Sequence, residues 1–168
     1  MFGRLTLDDF KHDFVQNGAV ASMVLGGIGL IALMFYLKRW KWLWNEWITT
    51  TDPKRIGILY IIVVLIMFMK GFGDAMMLRA QQAMSVGESQ GFLSAGHFQE
   101  VFSAHGTTMI FFVGMGFIFG LVNLIVPLQI GARDVAFPFL NAVAFWLFAA
   151  ASLLVLISLA IGHFSTAG

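Results

Sequence analysis

The 168-residue sequence has no cysteine, three prolines and little charge; Asp, Glu, Lys and Arg make up 11% of it, where a soluble domain carries about 25%. Without cysteine there is no disulfide scaffold, no thiolate metal site and no redox thiol in this stretch. Ten Lys and Arg against nine Asp and Glu leave no basic surface of the kind nucleic acid requires, and no nucleic-acid partner is expected. Low-complexity segments, linkers and internal repeats are missing too. What remains is apolar: 59% of residues are hydrophobic and the mean hydropathy is +0.84. A surface this greasy would aggregate in water, so the chain reads as an all-α integral membrane protein.

Crossing roughly 30 Å of hydrocarbon takes about 20 apolar residues in a helix. Four stretches qualify, at 18–37, 56–78, 102–130 and 135–161. Barrel strands would alternate strictly, and these do not, so helices are the only way to satisfy the backbone in lipid. Residues 1–17 form a polar leader with Asp8, Asp9 and Asp13. That acidic lead, and the length of the span behind it, exclude a removable signal peptide. The connections are 38–55, 79–101 and a short turn at 131–134, with a tail at 162–168. Lys38, Arg39, Lys41, Lys54 and Arg55 crowd the first connection, while 79–104 holds one Arg and two Glu. The positive-inside rule then puts 38–55 in the cytoplasm, with the N-terminus and 79–101 outside. Trp40, Trp42, Trp44 and Trp47 fit an aromatic belt at the cytoplasmic interface. Gly116 and Gly120 form a GxxxG step that favours close helix packing, as do Gly26, Gly27 and Gly29 in the first span. Pro127 is expected to kink or close the third span.

Ionisable groups at membrane depth are expensive and mark candidate sites. Lys70 and Asp74 are four apart and share a helix face. They form either an ion pair locking two helices or a polar pocket for a small amphiphile with carbonyl and hydroxyl groups. His97 and Glu100, three apart, open the third span on the outer side. His105, turned about 140° from Glu100 on a helical wheel, is either a structural hydrogen-bonder or a haem ligand. Arg133 and Asp134 lie in the cytoplasmic turn. Asp134 reads as a helix cap or as a proton acceptor at the mouth of a hydrated path that Asn123 and Asn141 would line. His12 and His163, at the chain ends, carry no assignment.

The string HFQEVFSAHGTTMIFFVGMGFIFGLVNLIVPLQIGARDVAFPFLN (97–141) strongly resembles subunit I of haem–copper terminal oxidases. IGARDVAFP, with GFGDAMMLRAQQA (71–83) upstream, resembles the bo-type quinol oxidase branch; cytochrome c oxidases typically differ at Arg133. The resemblance covers nearly the whole chain and is most specific over 54–141. It implies that His105 is an axial ligand of the low-spin haem, a b-type haem, with Arg79 close to that haem. Lys70, Asp74, His97 and Glu100 would bind quinol. Asp134 would stand at the entrance of the proton-uptake channel, with Asn123 and Asn141 in its lining. Lys70 stands where the branch has Arg, replacing a planar fork by a point charge. Glu100 stands where Gln is common, as in menaquinol-oxidising relatives.

Family subunits have twelve or more spans. Their second haem (o or a) and copper take ligands beyond a fourth helix. This chain therefore reads as an N-terminal portion of such a subunit, a fragment or one piece of a split subunit, inactive alone. The expected function is proton-pumping oxidation of membrane quinol with reduction of O2 to water, in a bacterial inner membrane. Its partners would be the rest of subunit I and subunits resembling II, III and IV. The rivals are a cytochrome c oxidase subunit I and a non-catalytic multi-span module.

Overall fold

A computed structural model gives the fold and describes residues 14–161; the leader up to residue 13 and the tail 162–168 lie outside the described residues. Among the described residues every regular element is helical. Helix α1 is Phe14–Tyr36, on the first expected span. A short helix Trp40–Leu43 and a π turn Trp44–Ile48 follow, carrying the tryptophans of the expected belt. Then come α2 (Pro53–Met84), α3 (Ala95–Gln129) and α4 (Pro138–Ile161). Among the described residues three helices, Pro53–Met84, Ala95–Gln129 and Pro138–Ser158, are long and apolar enough to cross a membrane. The chain divides into two compact units, of which one holds residues 51–152. The candidate site lies wholly in that unit.

Helix ends extend past the hydrophobic spans because polar caps, rather than hydropathy, decide where a helix stops. Asp52 accepts from Lys54 N at 3.0 Å with Pro53 in the first turn, a pairing suited to an N-terminus. The hydroxyl of Ser94 accepts from His97 N at 3.3 Å and opens α3 seven residues before the expected span. At its other end α3 runs through Pro127 and closes on a Schellman motif. Ala132 N donates to Pro127 O at 2.9 Å, and Gly131 N to Leu128 O at 3.4 Å. Gly131 sits at φ +67°, a conformation a side chain disfavours. Helix α4 starts at Pro138, so Asp134 stands in the connection before it; Val135 N donates to its Oδ1 at 2.8 Å.

Helices α2 and α3 form an antiparallel hairpin held by glycine. A Cβ on Gly57 would fall 2.8 Å from Gly120 O, one on Gly116 2.8 Å from Val64 Cγ2, and one on Gly120 2.8 Å from Ile61 Cδ1. The GxxxG step is thus where the two backbones approach, as expected where close van der Waals packing rather than hydrophobicity drives association. Buried Ile56, Tyr60 and Phe145 form the centre, with Leu59, Val63, Ala142, Phe148 and Ala149 around them. The Tyr60 ring lies 5.1 Å from both Phe145 and Phe148, which ties α4 to the hairpin. By contrast, a Cβ on Gly26, Gly27 or Gly29 would meet no atom within 4 Å. Outward faces carry Leu65, Ile66, Phe68 and Met69 on α2 and Phe111, Phe117 and Ile118 on α3.

Candidate functional site

Halfway along α2, Lys70 and Asp74 turn inward against α3. The Lys70 Nζ donates to Asp74 Oδ2 at 2.5 Å and to Thr108 Oγ1 at 3.1 Å. Both charged side chains are almost wholly buried, at 5% and 9% exposure, and Thr108 is buried completely. The sequence left two readings open here. The ion pair itself lies within α2, and Lys70 alone crosses to the facing helix, through Thr108.

The next residue makes a second bridge. His105 Nδ1 lies 2.9 Å from Gly71 O. A carbonyl oxygen only accepts, so Nδ1 carries the proton, which in the neutral imidazole leaves the lone pair on Nε2. A histidine that binds a metal through one nitrogen characteristically donates from the other in this way. The half-buried His105 ring therefore fits an axial haem ligand. Among the described residues no three of His, Cys, Asp and Glu converge as a metal cluster, and a haem requires no such cluster, only an imidazole at the iron. Gly71 permits the approach, since a Cβ there would lie 2.6 Å from Met109 Sδ. Just beyond His105, α3 widens into a π segment, Thr108–Met115; such segments recur at functional sites.

His97 and Glu100 occupy the first turns of α3, both half-buried, and both have polar or ring partners of their own. Arg79 is exposed on α2, its Nη1 3.5 Å from Gln82 Oε1. At the other end of the hairpin Asn141 Nδ2 donates to Asn123 Oδ1, and Asn123 Nδ2 to Phe119 O at 3.0 Å. Asp134 is exposed in the connection beyond them. So the structure joins Lys70 with Asp74 and Asn123 with Asn141. It seats His105 one turn before the residue that holds Lys70.

Two residues that carry much of this geometry escape a reading of the sequence. Thr108 could have been found, because it follows His105 by three and so shares its face. Gln81 gives no such signal. Buried near the end of α2, it accepts at Oε1 from the backbone N of Phe92 and Leu93, both at 2.8 Å, and donates from Nε2 to Gln90 O at 2.7 Å. One side chain thereby pins the α2–α3 connection. Gly91, at φ +75°, is needed there because a Cβ would run into the Gln81 amide.

A helical hairpin of membrane-spanning length with a buried Lys–Asp pair and a backbone-tethered imidazole defines a candidate polar site inside a membrane bundle. The family model described as "Cytochrome C and Quinol oxidase polypeptide I" matches residues 55–168, and the chain belongs to that family. It is 47% identical to "Ubiquinol oxidase subunit 1" of Acetobacter aceti, over 100% of this chain and 26% of that protein. It is 50% identical to "Quinol oxidase subunit 1" of Bacillus subtilis, over 90% of this chain and 23% of the relative. A "Probable cytochrome c oxidase subunit 1" of Bradyrhizobium diazoefficiens is 50% identical over 87% of this chain. The chain spans about a quarter of the length of the curated relatives it matches.

Proposed function

We propose that this chain forms part of the catalytic subunit of a proton-translocating quinol oxidase, a membrane quinol:O2 oxidoreductase. The observation that supports it best is the His105 imidazole, tied through Nδ1 to Gly71, the neighbour of Lys70, and one turn before Thr108, which accepts from that buried lysine. His105 would hold a low-spin haem through Nε2, and that haem would supply one-electron transfer. Quinol oxidation releases protons as well as electrons, which calls for basic groups beside the hydroxyls. Asp74 takes a hydroxyl proton, and the Lys70 ammonium donates to the oxygen that becomes a carbonyl. His97 and Glu100, at the near end of α3, carry protons away. At the far end Asp134 admits protons, and the Asn123–Asn141 amides hold the water that conducts them. Arg79 balances negative charge near the haem. The second haem, the copper and their ligands come from the rest of subunit I, with further oxidase subunits alongside. The excess of Lys and Arg over 38–55 supports placing that segment on the cytoplasmic side of the bacterial membrane.

His105→Ala tests the reading in the intact oxidase. Loss of the low-spin haem absorption is expected, and its retention would refute the assignment. Turnover with cytochrome c but not with quinol would favour the cytochrome c oxidase reading instead.

A further inference from the structure

Thr108 has no role in the reading above, yet it is fully buried and takes a hydrogen bond from the buried Lys70 ammonium. Resting on the reading of Lys70 and Asp74 as the quinol site, we propose that Thr108 is a positioning residue for that site. Its hydroxyl seats the Lys70 ammonium between α2 and α3 and so leaves one N–H for a quinone carbonyl oxygen.

The argument starts from the ammonium, which carries three donors and no acceptor on a flexible four-carbon stem. Asp74 lies on the same helix as Lys70, four residues on. Alone it fixes the charge but leaves the stem several rotamers. Thr108 comes from the facing helix and removes that freedom. Its own side chain is enclosed, with no exposed surface, and its Oγ1 meets Lys70. A planar guanidinium could reach two acceptors by its fork; a lysine needs its second acceptor supplied separately. Removing the hydroxyl strands a charged donor in a buried interface, where hydrogen bonds to charged groups matter most.

Thr108→Val keeps the shape and deletes the acceptor, Thr108→Ala deletes both, and Thr108→Ser keeps the hydroxyl. In the intact oxidase, assayed with short-chain ubiquinol and menaquinol, Val and Ala should raise the quinol KM about tenfold with kcat little changed, the signature of lost uniform binding. Ser should restore the wild-type KM. The low-spin haem band reports assembly; should the Val variant not assemble, the Ala and Ser pair decides. An unchanged KM in Val and Ala, or a Ser variant as impaired as Val, overturns the proposal while quinol turnover by the wild type preserves the functional reading. A wild-type complex that oxidises no quinol overturns both.

Discussion

Lys70 and Asp74 hold opposite charges in a space where neither has much water, and each is therefore tolerable only while the other is present. Removing one partner of such a pair costs about 3–5 kcal/mol, whereas removing both together is often nearly neutral. Lys70→Met should accordingly lower the melting temperature of the detergent-solubilised oxidase sharply, and adding Asp74→Asn should recover most of the loss. Equal destabilisation by the single and double variants would show that the pair does not behave as a buried ion pair. Gln81 acts at the same scale by a different route. Its carboxamide satisfies two backbone donors and one acceptor in the α2–α3 connection, so Gln81→Leu leaves them orphaned. An unsatisfied buried group costs roughly 1–3 kcal/mol. Limited proteolysis should then cut within 85–94, where the wild type resists.

Among the helices, separation is set by three glycines rather than by the charges. At Gly57 the neighbour is the backbone oxygen of Gly120, which cannot swing aside as a side chain can. Gly57→Val must push α2 away from α3, and overpacking of this kind costs about 1–3 kcal/mol. It also lengthens the Lys70–Thr108 and His105–Gly71 contacts that cross the same interface. The expected outcome is a broadened or shifted low-spin haem band together with lower thermal stability; an unaltered band would mean the interface adapts without moving its far end. That the long apolar runs form helices was legible in sequence, since about 20 apolar residues in a row have one solution in lipid. Their ends were not. Ser94 and Asp52 decide them through single hydrogen bonds, and a serine before a helix looks like any other serine.

For the molecule in its membrane, the testable quantity is which side each connection faces. The chain has no cysteine, so one introduced thiol per variant can be read against the unsubstituted protein. Ser89→Cys, in the α2–α3 connection, should react with a membrane-impermeant maleimide in intact cells. Thr51→Cys should react only after the membrane is opened. The reverse pattern would invert the proposed topology and place the α2–α3 connection in the cytoplasm. The outward faces of α2 and α3, rich in Ile, Leu and Phe, suit either lipid or neighbouring helices of a larger subunit.

Composition and the run of apolar residues alone determined that this is a helical membrane protein. A motif-rich stretch from 97 to 141 was enough to point to its family. Those signals survive in one dimension because hydrocarbon imposes a length and cofactor chemistry imposes residue types. Only the tertiary structure decided that His105 donates to Gly71, that Lys70 needs Thr108, and that Gln81 fastens the connection. Those contacts join residues 9 to 38 positions apart, brought together by the packing of two helices and the fold of their connection. No periodicity within one helix encodes which residue of its neighbour it will meet.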